Sequence, residues 1–443
     1  MRKNHIKRRQ WFSITAGIMT GYVLGVVLFA FPLIQTDFKF SEIQISYLAG
    51  ALMLGFFIAS IFTGIALDYL GRKNTIYIVL FFICLGALVF NFSDILTEFY
   101  AGRVIQGIGF GASFMAIPIY LSETTPKELR GQTVTLFRLN ITVGIFIASI
   151  LGYIFFDDSN WHILILSAII FPVVVFFLML MLPESPHYLM STKNYHTVKK
   201  SLAKIYTTPW EIEDRYVHLL NNPLQKLTLR ENIKFLKQRK FVVALLLVVF
   251  AICINQLAGV NFFLQCSFTI IRDSGITSPT VSSIGGILFT AVHCLGTFSA
   301  LFFVEKIGRK PVLMIGSSGL IAVFLILALI HFIVPMSITT GIVTIIGIIV
   351  MLGFYGFGSG GVLMVLCTEI LPIQLRSIGI SIAYFFATII GMVFTTNFIT
   401  LAHTLGLGVL FLIMAIATSG FYIVLAKVPE TKGKRLEEIG NLW

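Results

Sequence analysis

The chain has 443 residues, of which 57% are hydrophobic and only 12% charged, with 42 Phe and a formal net charge of +12. A soluble domain carries roughly 25% charged residues, and the mean hydropathy of +0.92 points the same way, to a membrane protein with most of its apolar surface facing lipid. The basic residues sit between apolar runs on one side, which argues against nucleic acid as a partner, and the five Cys (84, 253, 266, 294 and 367) all fall inside apolar runs, as packing residues rather than a disulfide framework or a metal site.

In chain order, Met1 to Arg9 is basic, but no small-residue cleavage site follows, so the first apolar run reads as a retained span rather than a signal peptide. Six runs of about 20 residues follow, the length that crosses a bilayer, centred near residues 22, 57, 83, 109, 144 and 172. One long polar insert comes next, at 185–238. Within it Ser201 to Tyr206, Glu211 to Leu220 and Leu229 to Lys237 have helical periodicity and are expected to form short amphipathic helices that tether two halves. Six further runs are centred near 252, 293, 322, 354, 389 and 418. The expected organisation is a six-helix bundle over 1–184, a cytosolic helical linker over 185–238, and a second bundle with a short tail over 239–443.

Orientation follows from Lys and Arg. The N-terminus, the 68–73 and 123–131 loops, the insert, the 305–311 loop, Arg376 and Lys432 to Arg435 share one face. The opposite loops are short and hold Asp37, Glu42, Asp94, Glu98, Asp157, Asp158 and Asp273 against Lys39 and Arg272. Positive charge stays inside, so both termini are expected in the cytoplasm.

Three polar motifs occur twice. Asp68-Tyr69-Leu70-Gly71-Arg72-Lys73 returns 237 positions on as Glu305-Lys306-Ile307-Gly308-Arg309-Lys310. Glu123 through Arg130 returns 246 on as Glu369 through Arg376, and Pro183-Glu184-Ser185 returns 246 on as Pro429-Glu430-Thr431. The chain is therefore two copies of one half, the construction by which secondary transporters build a central site with two gates. Gly71 and Gly308 permit tight turns, with Arg72 and Arg309 beside them near helix ends. Glu123, Arg130, Glu369 and Arg376 sit at span ends, where an unpaired charge is costly. Each Arg is expected to meet the Glu of the opposite half as a cytoplasmic latch, joined by Glu184 and Glu430.

Gly102-Arg103, Pro118 to Glu123, Pro126 with Arg130-Gly131, Pro183-Glu184-Ser185-Pro186, Gln256 to Asn261 and Pro429-Glu430-Thr431-Lys432-Gly433 together resemble the signatures of the sugar porter family of the major facilitator superfamily, in order and over nearly the whole chain. The stretch Pro183 to Met190 is most similar to trehalose and glucose transporters of arthropods. The resemblance implies an all-α membrane protein, with twelve transmembrane helices in two pseudo-symmetric six-helix bundles and a cytosolic helical insert. It also implies a midplane monosaccharide site that opens alternately to either side.

In that family the pair matching Gln256 and Asn261 hydrogen-bonds sugar hydroxyls. Five residues of helix turn about 500°, so these two point about 140° apart unless Gly259 loosens the helix. Departures from the family are several: Asn255 replaces a Gln, Gln265 and Cys266 replace paired Tyr, and Arg138 stands where span 5 commonly carries a Gln. His293 stands where span 8 commonly carries an Asn, Met364 and Gly356 replace a Trp and a Glu of span 10, and Ala387-Thr388 replaces an Asn-Trp of span 11. No Trp lies at a span centre, so a cavity floor of smaller or softer groups is expected. Arg138 has two readings: a clamp for a carboxylate or phosphate, or a side chain that snorkels or caps carbonyls of a neighbouring helix. His293 reads as a cavity hydrogen-bonding group rather than a metal ligand or proton carrier.

Proton-coupled sugar porters place an Asp in span 1 after Gly-Tyr, whereas here Gly21-Tyr22 is followed by Val23. No phosphate-binding loop and no nucleophile–base constellation occurs, so neither ATP hydrolysis nor enzymatic catalysis is expected, and no cofactor. The leading expectation is facilitative uniport of a hexose or trehalose by a monomer in the plasma membrane, with lipid as its surroundings. Two alternatives stand beside it: a carrier of another small, anionic solute using Arg138, and a non-transporting sugar sensor. Sensors of that type often carry a long cytosolic tail, and the dozen or so residues after Pro429 argue against one.

Overall fold

Twelve helices of the computed structural model are long and apolar enough to cross a membrane: Lys7–Phe38, Glu42–Leu70, Arg72–Asn91, Leu96–Thr124, Gln132–Ile154 and Trp161–Met181 (spans 1–6), then Phe241–Gln265, Val281–Val304, Arg309–Ile333, Ile338–Ile370, Ile378–Leu405 and Leu407–Lys427 (spans 7–12). The structure describes residues 2–155, 160–192, 194–206, 208–221, 239–266, 270–271, 279–335, 337–371, 376–428 and 430, and all regular structure among them is helical. The apolar runs thus resolve into the twelve expected spans. Their outward faces carry exposed Phe62, Phe81, Phe177, Leu246, Ile326 and Ile416, as lipid-facing helices must, since lipid offers no penalty to an apolar side chain.

The two halves repeat one packing scheme. Span 1 lies along span 5 as span 7 lies along span 11, span 2 along span 4 as span 8 along span 10, and span 3 along span 6 as span 9 along span 12. Between the halves, span 2 packs on span 11 and span 5 on span 8. These two seams are exchanged by the same pseudo-symmetry.

The seams flank the centre on both sides. Toward the acidic ends of the spans, Ser46 donates to the carbonyls of Thr395 and Thr396 at 3.2 and 3.0 Å, and Ser149 meets Thr290 at 2.8 Å. Toward the basic ends, Phe57 packs on Phe385 with ring centroids 5.0 Å apart and Ser381 donates to Met115 Sδ at 3.7 Å.

The insert contributes helices Pro186–Ser191, Tyr195–Ile205 and Pro209–Asn221. The expected helix over 201–206 is the end of a longer one, the expected 211–220 helix is present, and 229–237 lies outside the described residues. Leu189, Met190, Val198, Leu202 and Leu219 form a small core of their own.

The duplicated motifs are duplicated contacts. Glu184 accepts from the Lys73 backbone N–H at 3.1 Å, and Glu430 accepts from those of Arg309 and Lys310 at 3.0 and 2.9 Å. Each carboxylate therefore caps the first turn of an earlier span of its own half, span 3 for Glu184 and span 9 for Glu430, where orphan N–H groups and the positive end of the helix dipole favour an anion. Lys73 Nζ and Lys310 Nζ donate to the Leu182 and Val428 carbonyls at 3.0 and 3.3 Å, closing the same corner twice. Burial pushes the Glu184 carboxyl above the usual carboxylate range, against the hydrogen bonds from Ser185 and Lys73. Glu430→Ala is expected to destabilise the second half by about 1–3 kcal/mol, the cost of stranding charge-assisted donors. Glu430→Gln should retain part of that, and thermal unfolding of the purified protein in detergent checks both.

Candidate functional site

Span 7 is interrupted at its centre. One helix, Arg239–Leu257, ends and another, Val260–Gln265, begins, with Gly259 between them at φ 70°. A Cβ there would be strained by that φ and would approach Met414 Cε within 2.9 Å. The break removes the angular separation that an unbroken helix would impose on Gln256 and Asn261: Asn261 Nδ2 donates to Gln256 Oε1 at 3.0 Å. One residue before Gln256, Asn255 Nδ2 donates to Tyr355 Oη of span 10 at 3.1 Å.

These three amides face a cavity of about 80 Å³ between the halves, which Arg138 and Thr142 of span 5, His293 of span 8, and Tyr355, Gly360 and Met364 of span 10 also line. On this measure a water needs about 10–15 Å³, so there is room for roughly five to eight. Five of the six expected binding residues (Asn255, Gln256, Asn261, Arg138 and His293) meet here. Gln265 does not line the cavity.

The expected lack of an aromatic floor does not hold. Phe114 of span 4, Tyr355 and Tyr384 of span 11 present rings to the same space. Tyr384 lies one turn before Thr388, and Phe114 comes from span 4, positions that a residue-by-residue comparison with the family pattern does not reach. Tyr384 Oη donates to the sulfur of Met364 at 3.6 Å, so a ring is held over the residue that replaces a Trp.

Arg138 crosses from one half to the other. Its Nη2 donates to the Gly360 carbonyl at 3.0 Å, in a π-helical turn over Gly356–Gly360, and its Cζ lies 5.2 Å from the centre of the Phe114 ring. The carbonyl-capping reading is therefore present in the structure. It is not the whole of it, because Arg138 Nε is enclosed without a protein partner, as are both ring nitrogens of His293 and Oδ1 of Asn255. Among the described residues that line the cavity, none is Asp or Glu.

A second intramembrane arginine, Arg103, escaped site assignment from the sequence although Gly102-Arg103 was among the family signatures. Its side chain has 0% exposure. It donates to Gln106 Oε1 at 2.6 Å, to the Val23 carbonyl at 3.2 Å and, across the halves, to Gln265 Oε1 at 3.1 Å. Gln265 thus serves the arginine, and its own amide donates to the Asn261 carbonyl at 3.1 Å. The signal available in the sequence was a charge in mid-span, which by itself marks function.

At the basic ends the described ion pairs lie within each half. Arg72 meets Glu123 through Nε and Nη2, both at 2.9 Å, and donates to the Leu67 carbonyl at 2.9 Å. Ser185 Oγ also donates to Glu123. In the second half Arg309 lies 3.6 Å from Glu369. The expected latch across the halves needed Arg130 and Arg376, whose side chains lie outside the described residues. What is described is a clamp that ties the start of span 3 to the end of span 4 and the segment after span 6, with a counterpart between spans 9 and 10. Removing one partner of such a buried pair typically costs about 3–5 kcal/mol. Arg72→Ala is therefore expected to lower stability by about that amount in detergent unfolding, while Arg72→Ala with Glu123→Gln should recover a large part.

The twofold repeat, the two seams and the central polar cavity define a transporter of the major facilitator fold. The chain matches the family described as sugar (and other) transporter over residues 10–443 and belongs to it. It is 28% identical over 425 residues to the glucose transporter GlcP of Staphylococcus epidermidis, covering 96% of this chain and 94% of the relative. It is 26% identical over 434 residues to the arabinose-proton symporter of Escherichia coli K12, covering 96% and 91%. In fold it is similar to the proton:xylose symporter XylE bound to 6-bromo-6-deoxy-D-glucose, with TM-score 0.82, 22% identity and complete coverage of both chains. Membership makes the chain a multi-pass membrane transporter rather than an enzyme.

Proposed function

We propose that the protein is a uniporter that carries one monosaccharide at a time by alternating access. The observation that carries this reading is the pairing of a carboxylate-free cavity with Arg103 bonded to the Val23 carbonyl. A proton-coupled carrier needs a titratable group in its path that changes charge as the halves rock. Here the two terminal nitrogens of the arginine meet neutral oxygens in span 1, span 4 and span 7, while its Nε is enclosed without a partner. Some relatives are proton symporters, and the residue at position 23 separates this chain from the pattern of that class.

Sugar as solute is supported by the chemistry of the walls. Three amides gathered by the Gly259 break supply paired donors and acceptors for hydroxyls, and the rings of Phe114, Tyr355 and Tyr384 supply faces for C–H groups. Space for roughly five to eight waters matches the bulk of a hexose better than that of a disaccharide such as trehalose. Gln256, Asn261, Asn255, Arg138 and His293 form the binding set on this reading. The Arg72–Glu123 and Arg309–Glu369 clamps, with Glu184 and Glu430, hold the cytoplasmic ends that Arg130 and Arg376 latch across the halves. The basic face is cytoplasmic, with both termini inside, and the membrane is the plasma membrane.

Two measurements test the reading. In vesicles supplied with a panel of labelled monosaccharides, Gln256→Ala and Asn261→Ala should each raise apparent KM about tenfold for every 1.4 kcal/mol of hydrogen bonding lost. Uptake should equilibrate without accumulating under an inward proton gradient. Uphill accumulation abolished by a protonophore would defeat uniport, with His293 the first residue then to examine.

A further inference from the structure

The uniport reading leaves one group in the cavity with more capacity than a neutral sugar uses. Arg138 is a guanidinium and offers five N–H bonds in a fixed fork. The Gly360 carbonyl takes one of them at 3.0 Å, the Phe114 face covers one side at 5.2 Å, and Nε is enclosed without a protein partner. His293, 5% exposed, lines the same cavity with neither ring nitrogen partnered, and Asn255 Oδ1 is likewise unpartnered. No lining carboxylate balances the guanidinium. An intramembrane cation is costly unless countered; Arg103 meets three neutral oxygens whereas Arg138 meets the Gly360 carbonyl, and an anionic solute would supply the counter-charge Arg138 lacks.

Resting on the transport reading above, we propose that the solute is an acidic monosaccharide, a sugar bearing one carboxylate that the Arg138 guanidinium takes, with His293 beside it. The remaining polar atoms suit the rest of such a molecule: Asn255 Oδ1 accepts from a hydroxyl, and the Gln256 and Asn261 amides meet others. Charge-assisted bonds of this kind are about twice as strong as neutral ones, so the acid should outcompete its neutral parent. A uniporter of a monoanion also moves one charge per cycle, so its flux must respond to membrane potential.

The test uses the full-length protein in proteoliposomes, with labelled D-glucuronate and D-glucose as probes and a potassium–valinomycin potential of either sign. Glucuronate uptake should exceed glucose uptake by tenfold or more at equal concentration. An inside-positive potential should speed it and an inside-negative potential slow it. Arg138→Gln should lower the glucuronate-to-glucose ratio at least tenfold, with Arg138→Lys between. If Arg138→Gln does not give a monodisperse protein, the wild-type preference and the response to potential decide alone. Glucose entering as fast as glucuronate or faster, with no effect of potential, would overturn this proposal and leave sugar uniport standing. Entry of neither sugar nor any other monosaccharide of the panel would overturn both.

Discussion

Every backbone N–H and C=O that lies within lipid must find a partner inside the protein. This constraint explains where the chain is regular and where it is not. The twelve spans are helical; spans 1, 6 and 12 carry short turns at Val26, Ala168–Ile169 and Gly420, and the departures at Gly259 in span 7 and over Gly356–Gly360 in span 10 border the central cavity. Irregular backbone is tolerated there because protein groups and cavity solvent can reach it. At span 10 the group that reaches it is Arg138, through the Gly360 carbonyl.

The two intramembrane arginines divide the work of holding the halves. Arg103 does not line the cavity, and its terminal nitrogens bond neutral oxygens from both halves, Gln265 among them. Arg138 touches the opposite half at one carbonyl and keeps bonding capacity on the cavity side. Rocking the halves apart at the basic ends would break the Arg138–Gly360 bond, whereas the Arg103–Gln265 bond lies toward the acidic ends and would break when that side opens. A solute that engages Arg138 thus acts on one of the contacts between the halves, which is how binding at the centre can bias the gates.

Much of this was legible in the sequence, and the physical reasons are particular. Span length and apolar content are properties of contiguous residues, so twelve spans could be counted directly. The duplicated Gly-Arg-Lys and Pro-Glu motifs survive because each closes a corner by the same backbone hydrogen bonds, at Lys73 with Glu184 and at Lys310 with Glu430. Gln256 and Asn261 could be named as partners only by noticing that Gly259 stands between them, and its φ of 70° is what makes them meet. What the sequence concealed depends on contacts far apart along the chain. Nothing local says that Gln265 turns from the cavity to serve Arg103, or that Phe114 and Tyr384 supply rings where span 10 lost its Trp. Nor does spacing tell that Glu123 meets Arg72, 51 positions away, inside its own half.

The ion pairs at the basic ends raise the question of what closes that side. A pair within a half is carried along intact when the halves rock, so it costs nothing to break and can store no opposition to opening. Its effect is to hold the ends of spans 2, 3 and 4 as one rigid corner around Glu123, with Ser185 bound to the same carboxylate. Rigid corners transmit motion, whereas bonds across the seams resist it. Toward the acidic ends the described contacts are Ser46 with Thr396, Ser149 with Thr290 and Arg103 with Gln265, and toward the basic ends the tilted Phe57–Phe385 pair, Ser381 with Met115 and Arg138 with Gly360. Most of these are neutral contacts, each worth on the order of 1 kcal/mol. Seams built from several weak contacts open and reclose on a small energy difference, and this suits a carrier driven only by the gradient of its solute.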